Sequence, residues 1–186
     1  MDRDAQHICI FTICFLSGNQ PQANVQFYTN TDIEKQFGRL SQIFVFISNY
    51  TKAVVRENAQ YGVPAQRPLF MEFPDDVLSW SVVYQYMFGP DLLAAPVIQP
   101  NVTTMHVYLP PGSWRFIWDT VDYLGNQFVT VPAPIGKPPA FYRKSSPFAD
   151  MFSQIQTNFP VLTDGVAGGV PIVIGRRDNL STHVEP

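Results

Sequence analysis

Charge is scarce in this chain. Aspartate, glutamate, lysine and arginine make up 15% of its 186 residues, against roughly 25% in an average soluble domain. The formal net charge is only −3, so there is no basic field to draw in nucleic acid or an anionic membrane. Nucleic-acid binding is excluded on that ground. Histidine is equally rare: His7, His106 and His183 are far apart, and no Ser-His-Asp, Cys-His or metal-ligand set can be assembled around them. The two cysteines, Cys9 and Cys14, are five positions apart, which is neither a redox CxxC pair nor a zinc spacing. They read as core or strand thiols. Long apolar runs are also lacking. Ile8–Leu16 falls far short of the roughly 20 residues that cross a bilayer. Asp2 and Asp4 outweigh Arg3 ahead of it, whereas a signal peptide carries a basic start, so a buried strand fits it better. The N-x-[ST] sequons at Asn49, Asn101 and Asn179 carry no weight unless the chain is secreted.

What is abundant is apolar and aromatic material, 46% and 14% of the residues, together with 17 prolines. That suffices for a real core, and so many prolines and rings favour short strands and turns over a helical bundle. One long helix nevertheless stands out. Thr31 and Glu34 form a capping box, and Ile33, Phe37, Leu40, Phe44, Ile47, Thr51 and Val54 then recur at alternating four- and three-residue intervals. Gly62 and Pro64 end it. A second, shorter helix is predicted from about Asp76 to Phe88, closed by Gly89-Pro90. Beyond Gly89 the pattern turns to strands: Leu92–Ile98, Met105–Leu109, Trp114–Trp118, Phe128–Val131 and Ala140–Arg143. Between them lie turns at Pro110-Pro111-Gly112 and Leu124-Gly125-Asn126. Short strands with Gly/Pro turns predict an antiparallel β-sandwich. The stretch Thr163–Gly175 is rich in glycine but has no phosphate-loop order.

Four motifs, taken in order, resemble glycoside hydrolase family 31. They are Gln66-Arg67-Pro68-Leu69-Phe70 with Pro74-Asp75-Asp76, the run Tyr84–Val97 (YQYMFGPDLLAAPV), Val107–Trp114 (VYLPPGSW), and Ala133–Arg143 (APIGKPPAFYR). The last is most similar to the sulfoquinovosidase branch. The resemblance spans roughly Gly18 to Gln156. It implies an α+β piece: the last strand and helix of a (β/α)8 TIM barrel, followed by the proximal β-sandwich. Residues 1–89 would be the terminal portion of the barrel, 90–156 the sandwich, and 157–186 a tail without assignment. A whole barrel takes about 250 residues, so 186 cannot hold both.

The resemblance also implies a retaining α-glycosidase acting on sulfoquinovosides or α-glucosides through a pair of aspartates about 5–5.5 Å apart. In the family both aspartates precede the matched segment, and a barrel loop supplies a histidine to the sugar. Here Leu16 and Ser17 stand where that histidine and the following glutamate would be. The expectation is therefore no catalytic, substrate-binding, cofactor or metal-ligating residue in this chain. A glycoside substrate would be met only in the intact enzyme. The chain's other polar candidates read as structural. Asp75 and Asp76 open a helix, Glu72 lies in the same connection, and Arg67 braces the barrel rim. Asp119 and Asp122 flank a hairpin turn, and His106 is exposed on a strand. Two further expectations follow. The stripe of the long helix would lack its barrel and stand exposed, prone to self-association and proteolysis. The alternative function, a non-catalytic sandwich that binds carbohydrate or protein, would need a platform built from Trp114, Trp118, Tyr108 and Tyr123.

Overall fold

The helical spacing that begins at Thr31 forms two helices, α1 (Thr31–Phe46) and α2 (Ser48–Tyr61). A single residue, Ile47, separates them, and hydrogen bonds run through the break: its amide donates to the Ile43 carbonyl and its carbonyl accepts from Thr51. Gly62 closes α2 in the left-handed conformation (φ 72°), its amide donating to Asn58, as the sequence predicts. The computed structural model describes residues 31–99, 102–134 and 136–161. The Ile8–Leu16 run with both cysteines, the Leu16–Ser17 positions and the Thr163–Gly175 stretch lie outside the described residues.

After α2 come β1 (Gln66–Pro68), the single turn α3 (Leu69–Glu72), a 3-10 turn at Val77–Trp80, β2 (Tyr86–Phe88) and β3 (Leu92–Ala94). Then follow β4 (Thr104–Leu109), β5 (Ser113–Phe116), β6 (Asp122–Leu124), β7 (Gln127–Pro132) and β8 (Ala140–Arg143). Two short helices, α4 (Ala149–Ser153) and α5 (Ile155–Asn158), close the described chain. One sheet runs β1-β2-β3-β8-β5-β6 and a second pairs β4 with β7, every pairing antiparallel. Both sheets and both long helices contribute to one apolar core. The α+β class with antiparallel sheet is as expected. The short strands follow the predicted ones closely, except that Leu92–Ile98 pairs only through Ala94.

Three expectations fail. No helix spans Asp76–Phe88. The Asp76 carboxylate caps only the 3-10 turn, accepting from Leu78 N at 3.1 Å, and the chain then extends into β2. Gln85 favours extension. Its side-chain amide both donates to the Tyr108 carbonyl (2.7 Å) and accepts from the Tyr108 amide (2.8 Å), acting as a strand partner for β4. Gly89 therefore caps no helix; with φ 61° it turns β2 into β3. The change of grammar placed near Gly89 falls inside a hairpin of one sheet, because β1 and β2 already belong to it.

The third failure is the exposed stripe. Leu40, Ile47 and Val54 are buried, as are Ile43 and Tyr50, and Phe37 packs against the same core; Phe44 and Thr51 are half-buried. The sheet and the C-terminal helices cover what was expected to await a barrel, so the basis for self-association through that stripe is absent among the described residues. Tyr50 is the hinge of this packing. Its ring meets Phe88, Phe148 and Phe152 edge-on at 5.9, 5.2 and 5.1 Å, the arrangement ring quadrupoles prefer. Its hydroxyl donates to the Phe88 carbonyl at 2.5 Å and accepts from Asp91 N at 3.0 Å. Gly89 makes room for that hydroxyl: a Cβ there would stand 2.5 Å from it and 2.3 Å from Val54 Cγ2.

Candidate functional site

The buried and ion-paired polar side chains among the described residues hold elements together. Arg67 sits on β1 at 3% exposure, paired with Glu57 on α2 at 2.9 Å and with Glu72 on α3. It braces, as expected, but what it braces is the helix pair against the sheet edge. Arg39 is buried on the apolar face of α1. It donates to the carbonyls of Phe159 (2.9 Å) and Gly136 (2.6 Å) and lies 5.0 Å from the Trp118 ring centre. Burial lowers its pKa to about 10, so the guanidinium stays charged at neutral pH. Arg143 is held between two rings, Phe73 at 4.7 Å and Trp114 at 5.0 Å, while its Nε donates to Pro90.

The carboxylates with resolved contacts are similarly engaged. Asp76 accepts from Ser79 Oγ and from the Tyr108 hydroxyl, both at 2.7 Å, besides its cap bond to Leu78. Partial burial pushes its pKa up, but these hydrogen bonds outweigh it and hold the group below the ordinary carboxylate value. The Tyr108 phenol is pushed up to about 12, by desolvation and then by Asp76. Asp122 takes Arg115 through Nε at 2.5 Å and Nη2 at 3.1 Å and also Lys144, three bonds that hold its pKa down. Asp119 closes an Asx turn onto Val121 N at 2.8 Å. Asp91 is displaced the other way: desolvation raises it, although Ser146 Oγ donates to it at 2.8 Å. His106 is exposed beside Thr130 on the β4–β7 pair.

A depression lined by Glu72, Phe73, Pro74, Asp75, Asp76, Val77, Pro111 and Asn126 gathers three acidic groups. Glycosidic acid/base work needs one carboxyl poised to give a proton near neutrality beside one that stays ionised. Asp76 is shifted away from that role, and Glu72 is bound to Arg67. Asp91, the one whose pKa rises, does not line this depression. The arrangement serves as a clamp on the turn. No group of three or more His, Cys, Asp or Glu side chains able to hold a metal occurs among the described residues.

The family model for the glycosyl hydrolase family 31 C-terminal domain matches residues 62–146. Those residues are a family 31 C-terminal domain. The sulfoquinovosidase of Escherichia coli (strain K12) is 38% identical over 140 residues, 75% of this chain and 20% of that protein. The sulfoquinovosidase of Agrobacterium fabrum is 34% identical over 141 residues, 75% of this chain and 21% of the relative. A solved family 31 sulfoquinovosidase from E. rectale, in complex with an aza-sugar inhibitor, superposes with a TM-score of 0.72 at 41% identity. That match covers 76% of this chain and 21% of the other. The chain thus spans about one fifth of the length of these family 31 proteins.

Apart from Arg67, the side chains that tie these elements together have no role assigned in the sequence reading. They are Arg39, Tyr50, Gln85 and Asp91. Arg39 carried a usable signal: it sits beside Leu40 and four residues before Ile43, on the very face whose other members are apolar. A lone arginine there points to buried carbonyl partners. Gln85 offered none, because a side chain that imitates a strand partner leaves no periodic mark.

Proposed function

We propose that this chain is the C-terminal part of a retaining α-glycosidase of family 31, acting on sulfoquinovosides in preference to α-glucosides, and that alone it hydrolyses neither. The substrate class rests on likeness to sulfoquinovosidases across three quarters of the chain. The observation that carries the second half is the engagement of Asp76, Asp91, Asp119, Asp122, Glu57 and Glu72 in caps, turns, hydrogen bonds and ion pairs. In this reading the bond-breaking aspartates come from a barrel outside the chain, and helices α1 and α2 are the barrel's terminal portion. The domain supplies a rigid flank to that barrel.

The rival platform of aromatics is not on the surface. Trp114, Trp118 and Tyr108 are buried and Tyr123 is half-buried, which counts against stacking a sugar on these four rings. The test is a chimera in which this chain replaces the matched portion of the E. coli sulfoquinovosidase. Hydrolysis of an aryl α-sulfoquinovoside by the chimera, faster than of the aryl α-glucoside, and none by this chain alone is the expected result. Turnover by the chain alone that disappears in Asp75→Asn or Asp76→Asn overturns it, as does a folded chimera that prefers the glucoside.

A further inference from the structure

Among the described residues, a concentration of uncovered apolar side chains lies between α3 and β2. Val77 is 82% exposed, Val83 78%, Tyr84 63% and Trp80 61%, with Met71 and Leu78 also exposed. A solvated loop would carry polar side chains in these places, and a concentration of this kind marks a contact surface. It is also built rather than loose. Trp80 stacks on Phe70 with centroids 4.6 Å apart and planes at 14°, and its indole N–H donates to the Pro74 carbonyl at 3.0 Å. Asp76, gripped by Tyr108, fixes the start of the turn that presents Val77 and Trp80. Val83 and Tyr84 continue into a shallow groove with Tyr86, Pro96 and Ile98, beside β1 at the end of the six-stranded sheet. A surface held in its binding shape loses little freedom on docking.

We infer that this rim, Met71–Tyr84, is where the rest of a family 31 glycosidase seats against this domain. The inference rests on the reading above and adds the surface to it. The occupant follows from two observations. The rim lies inside the residues that match the family model, 62–146, so it belongs to the domain itself. The relatives devote about four fifths of their length to parts this chain does not represent. By contrast the inner stripe of α1 and α2 is already occupied by the sheet, whereas within the matched residues the exposed large apolar side chains Met71, Val77, Leu78, Trp80, Val83 and Tyr84 are gathered on the rim.

The same chimera tests this with a different readout, hydroxyl-radical modification followed by mass spectrometry. In the 186-residue chain, Trp80 and Tyr84 should label readily while Trp114 and Trp118 stay protected. In the chimera, labelling of Trp80 and Tyr84 should fall at least fivefold. The double variant Val77→Asp/Val83→Asp, both side chains pointing to water, should restore that labelling and lower the chimera's melting temperature without moving that of the chain alone. An active chimera whose Trp80 labels as in the lone chain overturns the inference and leaves the glycosidase reading standing. Trp80 protection in the lone chain that grows with its concentration also overturns it, making the rim a contact between copies. An inactive chimera with a protected, variant-sensitive rim upholds the docking surface and sinks the glycosidase reading. If it is inactive with Trp80 fully labelled, both fall.

Discussion

The inner stripe of the helix pair and the rim at Met71–Tyr84 are both apolar, yet only one is covered. Leu40, Ile43, Ile47 and Val54 are shut away under the sheet at 0–2% exposure, whereas Val77 and Val83 stand at 82% and 78%. Burying a valine or leucine side chain fully is worth about 1.5–3 kcal/mol. The two regions are therefore under opposite constraints: the stripe stabilises this domain itself, and the rim can contribute only when something else covers it. Polar anchoring follows the same division. Tyr50 and Arg67 tie the helices to the sheet, and Arg39 ties α1 to the β7–β8 loop and the end of α5. At the rim, Asp76 and Trp80 bond only within their own turn and to the adjacent strand β4.

The comparison breaks first at Tyr50. Tyr50→Ala removes the ring that three other aromatics contact and should cost about 3–5 kcal/mol, read from urea unfolding followed by tryptophan fluorescence. A cost below about 1 kcal/mol would mean that the helices add little to the core. Arg67→Met should cost about 2–3 kcal/mol, less than the removal of one partner from a fully buried pair. Its acids keep some water, Glu57 at 32% and Glu72 at 17% exposure. Recovery of that stability in the triple variant Arg67→Met/Glu57→Gln/Glu72→Gln would show that the loss comes from stranded charge.

Tyr108→Phe sharpens the division at the clamp. Losing a hydrogen bond to a carboxylate should cost about 1.5 kcal/mol at neutral pH. The pH dependence has a definite sign. Asp76 has its folded pKa below the unfolded value, so its stabilisation is present above the ordinary carboxylate pKa and lost as pH falls through the folded value. The variant, with one donor fewer, should lose less stability on acidification than the parent between pH 5 and pH 2; an equal loss in both proteins would remove Asp76 from the account. The smallest effect belongs to the rim. Val77→Asp alone should leave the stability of the chain within about 0.5 kcal/mol, as surface changes do. A loss above 1.5 kcal/mol would show that the rim is structural.

Much of this was legible in the residues. The strands Ser113–Phe116 and Ala140–Arg143, the turns between them, and the glycine end of α2 follow from alternation and turn chemistry, which are local. The turn role of Asp119 was likewise readable, as was a bracing role for Arg67, though not the elements it braces. The segment Asp76–Phe88 was not, because a capping aspartate followed by apolar residues and Gly-Pro has the grammar of a helix. The decision for strand is made by distant partners: β1, β3 and the backbone of Tyr108. The coverage of the helix stripe was illegible for the same reason, since a stripe shows that a face is buried without saying under what. The rim escaped notice because Val77, Trp80, Val83 and Tyr84 were absorbed into that supposed helix.

The central claim is that α1 and α2 are part of the same cooperative body as the sheet. Native-state hydrogen exchange on dilute, monomeric chain tests it most directly. The amides of Ile43, Thr51 and Val54 should open only with those of Leu93, Trp114 and Phe141, at one common free energy and with one denaturant dependence. If the helix amides exchange through an opening that is several kcal/mol easier while the strand amides stay protected, the helices are an appendage of the sheet and the account is wrong.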